Sequence, residues 1–257
     1  AESGVAAQGY LVIAGTPDTN DLFPSDVAQT APRLLLPTGR AVPACFDLAD
    51  GSFEYFHLQQ NGKRGGFATM AVGPMFINSG TAFDTANGEA GATFGAGPVA
   101  AYPGGLVRAT SAKTEALRWL RQDKADRRGT PVPTWVLEPI WSTDLTGGGT
   151  ALIIAGKTVV VGGSGVVTLL DLNSGAIKQQ LDVSGEVHDL AVSGGRLFVS
   201  TDTGTLFGFA SGVISEPLRH SLTVSEQDWP TDPAAVSAAE KILRDPSRRK
   251  GYCLDFG

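Results

Sequence analysis

Apolar residues in this chain come in short runs of about five, broken by glycines, and the runs recur. From 151 to 175 the order is ALIIA, the turn GK, TVVVGGSG and then VVTLLDLNSG. From 189 to 212 it is DLAVS, the turn GG, RLFVSTDTG and then TLFGFA with SG. Gly156 and Gly194, Gly165 and Gly204, and Gly175 and Gly212 recur in phase, about 38 residues apart. A polar-alternating run, 176–181, follows the first copy. Runs this short and this rich in β-branched residues, bounded by Gly, Ser, Asn and Asp, predict strands. Four strands in roughly 40 residues is the size of one blade of a β-propeller.

The same unit extends towards the N-terminus. Residues 10–16 (YLVIAGT) predict a strand, matched to the second strand of the repeat with Gln8 and Gly9 in its turn. Residues 17–44 carry Pro17, Pro24, Pro32, Pro37 and Pro43 and little periodicity, which predicts a long insertion loop and a natural contact surface. Strand runs resume at 44–48, 67–72, 75–78 and 81–84, and again at 98–102 and 106–110. Residues 111–128 have a helix-forming composition, but the repeat demands a strand at 115–120, with 122–128 as a charged loop. Residues 135–145 supply an outer strand, on which Trp135 and Trp141, six apart, are expected to share a face. Turns near 9, 73, 104, 156 and 194 count five blades, the first lacking most of its inner strand. The fold class is therefore all-β, an incomplete ring of four-stranded blades over 1–227. A different segment follows at 228–257. There Asp232 and Pro233 open a short helix at 234–244, and a strand ends in Cys253, Leu254, Asp255, Phe256 and Gly257.

Three strand ends share one pattern, an apolar residue, Asp, three residues and Gly: Asp47 to Gly51, Asp84 to Gly88 and Asp171 to Gly175. The physical logic is local. Asp accepts backbone N–H bonds and Gly takes the positive φ, so these are turns and no metal or catalytic role is assigned to them. His57, His188 and His220 are scattered, and His188 and Asp189 are strand neighbours that point to opposite faces. The TGGGT stretch at 146–150 opens no helix and is followed by no Lys-Ser/Thr pair, so it reads as a connection between blades.

Composition narrows the partners. A net charge of −6 argues against nucleic acid, which needs a basic footprint, and against an anionic membrane surface. Cys45 and Cys253 make no metal spacing and are expected to be buried thiols. No apolar run is long enough to span a membrane, and no charged and apolar leader opens the chain. Ala1, Glu2 and Ser3 suit a processed secreted protein, so a periplasmic or secreted setting is slightly favoured over the cytoplasm.

On the three Asp-to-Gly strand ends and the glycine-turn segments VVVGGSG and FVSTDTG, residues 9–212 resemble the PQQ-like (quinoprotein-type) β-propeller repeat family. The resemblance implies a ring of about seven or eight four-stranded blades. Five blades would leave two open edges, which implies a longer protein or self-association through those edges. The family contains quinone-dependent dehydrogenases and non-catalytic scaffolds. The dehydrogenases carry adjacent cysteines, a calcium-binding Glu/Asn/Asp cluster and a docking Trp in most blades. Here the cysteines lie far apart, no Trp follows Gly51, Gly88, Gly175 or Gly212, and only Trp141 holds a comparable position. Separately, the final CLDFG is similar to the opening of a class I S-adenosylmethionine methyltransferase. In that likeness Leu254, Asp255 and Gly257 match the first half of the cofactor loop, so Asp255 and Gly257 are cofactor-binding candidates only if such a domain follows.

The function expected is a non-catalytic binding or scaffolding platform within a larger protein, without a cofactor. A protein or small-molecule ligand would sit at a propeller face. The alternatives are a regulatory propeller fused to a methyltransferase and a quinone-dependent dehydrogenase.

Overall fold

The computed structural model describes residues 8–24, 31–39, 41–57, 65–125, 129–212, 219–220 and 232–244. The chain divides into two compact units, Ala1–Ser211 and Gly212–Gly257. The first unit is a series of antiparallel sheets in which strands pair in sequence order. Blade one is β1 (Val12–Ala14), β2 (Arg33–Leu36), β3 (Ala44–Asp47) and β4 (Phe53–Tyr55), with a short helix α1 (Pro17–Asn20) between its first two strands. Blade two is β5 (Thr69–Val72), β6 (Met75–Asn78), β7 (Thr81–Asp84) and β8 (Ala90–Thr93). Blade three is β9 (Val99–Tyr102), β10 (Gly105–Ala109), β11 (Lys113–Ala125) and β12 (Pro131–Asp144). The last sheet has six strands: β13 (Ala151–Ala155), β14 (Thr158–Gly162), β15 (Ser164–Asp171), β16 (Ile177–Ser193), β17 (Arg196–Thr201) and β18 (Leu206–Ala210). β16 serves two blades. Its first half pairs with β15 to complete blade four, and its second half pairs with β17 to open blade five.

The apolar runs are continuous because most sheets bury both faces. On β14, Val159 and Val161 pack against blade three, while Val160 between them packs against blade five. On β6, Phe76 faces blade one and Met75 and Ile77 face blade three. Four cores result, one between each pair of consecutive blades. First strands of neighbouring blades also meet, β1 with β5, β9 with β13 and β13 with β16. Sheets stacked face to face in this way make an incomplete β-propeller.

The strand ends close as the Asp-to-Gly pattern predicts. Asp47 Oδ1 accepts from the Ala49 N–H at 2.8 Å, Asp84 Oδ1 from Ala86 at 2.7 Å, and Asp171 Oδ1 from Asn173 at 3.0 Å. Gly51, Gly88 and Gly175 sit at φ +74°, +69° and +72°, where a side chain is strained.

Four expectations change. The stretch 17–44 is not a structureless insertion, because α1 and β2 lie inside it, and Val12–Ala14 is the first strand of its blade, not the second. Pro32 and Pro37 bracket Arg33–Leu36 and end the strand at either side without removing a ladder donor from it. The strand expected at 115–120 is present, but it runs on to Ala125, so 122–125 is ladder and not charged loop. Gln122 to Ala125 pair with Thr134 to Pro131 in an exposed arm, where no face is buried and no apolar alternation marks a strand. Finally, Trp135 and Trp141 do not share a face. The register shifts between Ala116 and Leu117, which pair with Trp141 and Pro139. The extra residue, Ile140, flips the side-chain order, so Trp135 packs towards blade two and Trp141 towards blade four.

In the second unit, α2 spans Pro233–Arg244. Asp232 caps it, its Oδ1 accepting from the Ala234 N–H at 2.9 Å. The boundary expected at 227/228, the terminal strand, Cys253, Leu254, Asp255 and Gly257 lie outside the described residues.

Candidate functional site

The register places four large apolar residues in one line across blade one. Ile13 pairs with Leu34, Leu34 with Phe46, and Phe46 with Phe53. Val12, Ala14, Leu35, Cys45 and Tyr55 point the other way, into the core shared with blade two. Strand alternation turns Ile13, Leu34 and Phe46 outward, and the bulge that leaves Glu54 as an extra residue on β4 turns Phe53 outward with them. Phe46 and Phe53 meet edge to face, with ring centroids 5.6 Å apart.

Blade two carries the equivalent row. Ala71 pairs with Phe76, Phe76 with Phe83, and Phe83 with Ala90. Its two rings stack at 5.2 Å, and Phe76 and Phe83 are 0% and 1% exposed because blade one covers them. In blade one, Phe53 is 59% and Ile13 45% exposed. No blade packs on this face among the described residues. Arg33 pairs with Asp47 and Glu54, and the row itself stays apolar.

The proline-rich excursion faces inward where it is described. The Thr19 carbonyl accepts from Gly73 N–H at 2.7 Å and the Leu22 carbonyl from Gly104 N–H at 3.2 Å. Phe23 is buried between Trp119, at 5.0 Å, and Trp135, at 4.7 Å. The described part of this segment straps blade one to blades two and three.

The titratable residues are held in structural roles. Tyr55 donates to the Thr85 carbonyl at 2.9 Å and lies against Gly88, so it fastens blade one to the turn of blade two. Trp141 does the same between blades three and four, donating from Nε1 to the Leu172 carbonyl at 2.9 Å over Gly175. Thr85 and Leu172 each follow the turn Asp, so the two aromatics are equivalent. A pattern restricted to Trp leaves out Tyr55. Any aromatic four residues beyond the turn Gly would have been the signal. Burial first, then the nearby Cys45, push the Tyr55 hydroxyl above its ordinary range, and burial also raises the Cys45 thiol. The Lys178 ammonium, helped by the Ser174 N–H, holds the Asp171 carboxyl down to about 2.

His57 Nε2 donates to the Asn87 carbonyl at 2.7 Å and the ring stacks on Tyr55, whereas His188 sits at a bulge of β16. Asp189 accepts from Leu190 N–H. The 146–150 connection is tied into its neighbours, with Thr150 Oγ1 donating to the Val187 carbonyl at 2.7 Å. Sequence reading missed one cluster. Arg108 and Lys113 both pair with Glu115 in the interface between blades two and three. Burial raises the Glu115 carboxyl, but hydrogen bonds from Lys113 and Arg108 outweigh it, and the group ends below its ordinary range. Among the described residues, no three His, Cys, Asp or Glu side chains are grouped to hold a metal.

No protein-family model matches the sequence, and no curated protein matches it. Among solved structures the chain is similar to the computationally designed Ika8 protein, at 13% identity and a TM-score of 0.41, over 72% of this chain and 69% of that one. It is also similar to BamB from Moraxella catarrhalis, at 17% identity and a TM-score of 0.37, over 68% of this chain and 69% of that one.

Proposed function

We propose that this chain is a non-catalytic protein-binding platform built on PQQ-like propeller repeats, and that it works as one part of a larger assembly. The observation that carries this reading is the outward row Ile13–Leu34–Phe46–Phe53. It has the make-up of the row that blade two buries, yet Phe53 and Ile13 stand in solvent. A contiguous apolar face of this kind marks an interaction surface. The polar chemistry supports the same reading, since Asp47, Asp84 and Asp171 serve turns and Glu115 serves an ion pair. No helix among the described residues is long and apolar enough to cross a membrane.

The reading is tested with bis-ANS in dilute protein. The wild-type chain should bind the dye, and the double variant Phe46→Ser/Phe53→Ser should lose most of that fluorescence while keeping its circular dichroism. Unchanged dye binding in the variant would contradict the reading. So would dye reduction above background by the wild-type chain supplied with pyrroloquinoline quinone and calcium.

A further inference from the structure

Every interface inside the first unit joins two faces of different kinds. One blade offers its following face, and the next blade offers its preceding face. In blades one and three the following face presents a row that reaches an aromatic at its outer end: Val12, Leu35, Cys45 and Tyr55 in blade one, and Ala100, Val107, Ala116 and Trp141 in blade three. Preceding faces present rows such as Ala71, Phe76, Phe83 and Ala90 in blade two, or Ile154, Val159, Leu170 and Ile177 in blade four. A following face meets a preceding face at all four interfaces.

Two faces are left over among the described residues. The preceding face of blade one carries Ile13, Leu34, Phe46 and Phe53. The following face of blade five carries Ala191, Phe198 and Gly208, which the register aligns across β16, β17 and β18. Gly208 leaves room beside the Phe198 ring, whose carbons come within 3.8 Å of where a side chain would begin. The row is therefore apolar, and it ends on a glycine where the following faces of blades one and three reach an aromatic. The two leftover faces are of opposite kinds, and they belong to the same chain.

We infer that a second copy of this chain docks head to tail, the preceding face of blade one in one copy seating on the following face of blade five in the next. The inference rests on the platform reading, because it fills the same blade-one face. It continues an interface that the chain already makes four times. Its symmetry is heterologous, since the two faces differ, so the contact extends from copy to copy unless the rotation closes a ring. Pairing through faces replaces the pairing through open sheet edges expected from the sequence.

Two exposed positions test it, Phe53→Asp on blade one and Ala191→Asp on blade five. Light scattering after size exclusion should show the wild-type mass climbing above the 26.7 kDa of one chain as concentration rises. Each variant alone, with wild-type circular dichroism and melting, should stay at one chain. An equimolar mixture of the two should stop at a pair, because the intact blade-one face of the Ala191→Asp chain meets the intact blade-five face of the Phe53→Asp chain. A wild-type chain that is monomeric throughout overturns the inference. It is also overturned if Ala191→Asp still associates and Phe53→Asp does not, which would mean that blade-one faces pair with each other. Bis-ANS binding by a strictly monomeric wild type would leave the platform reading standing while removing the second copy.

Discussion

Two apolar rows cross neighbouring sheets of this chain, and they meet different fates. In blade two, Ala71, Phe76, Phe83 and Ala90 are closed under blade one. In blade one, Ile13, Leu34, Phe46 and Phe53 have no blade over them among the described residues. The residue types are alike and the strand geometry is alike. What differs is the neighbour. Burial in a propeller is thus a property of the pair of blades, and a blade at the end of the series keeps its packing face whether or not something covers it. Blade five makes the same point in a milder form, because its outward row is smaller and includes Gly208.

The contrast predicts that groups between blades carry stability. The largest effect should come from Phe23, which joins the blade-one excursion to Trp119 and Trp135. Phe23→Ala should cost about 3–5 kcal/mol in denaturant unfolding, the usual toll of a buried aromatic. A cost near that of a surface change would break the view that this segment is a strap. Next comes Glu115→Gln, which leaves Arg108 and Lys113 without their carboxylate in the interface between blades two and three. Removing one partner of a buried ion pair costs about 3–5 kcal/mol, and the partial exposure of Arg108 and Lys113 reduces this to about 2–3. Equilibrium unfolding of the variant at neutral pH measures it.

Tyr55→Phe should be the smallest of the three, about 1 kcal/mol for the lost bond to the Thr85 carbonyl. Its pH dependence sharpens the comparison. The Tyr55 hydroxyl is raised in the folded chain, first by burial. Its contribution is therefore complete below the unfolded value of about 10 and is lost as pH rises beyond it. Denaturant midpoints followed from neutral pH to about 11 should fall in the wild type, and fall less steeply in Tyr55→Phe. Parallel curves would show that the junction between blades one and two does not depend on this group.

The repeat was legible wherever both faces of a sheet are buried. VVV within β14 and MFI within β6 are uninterrupted apolar runs, and glycine turns frame them. The Asp-to-Gly turns were legible because their hydrogen bonds are local. Less was legible where context decides. RLLL of β2 is as apolar as its neighbours, but the prolines around it masked a strand. The arm formed by β11 and β12 is solvated, so its polar residues read as a loop. The bulge at Ile140 left no mark in the composition, and it alone separates Trp135 from Trp141. The outward row was present in the sequence residue by residue. Its alignment across four strands depends on register, and its exposure depends on which sheets neighbour it.

The most direct measurement sets the two rows side by side. Phe76→Ala and Phe53→Ala each remove a phenylalanine from one of the two rows, one 0% and the other 59% exposed. In dilute protein, unfolding should show a loss of about 3–5 kcal/mol for Phe76→Ala and a change within about 0.5 kcal/mol for Phe53→Ala. Equal and large losses at both positions would mean that the blade-one face is already closed within the chain, and would contradict the account.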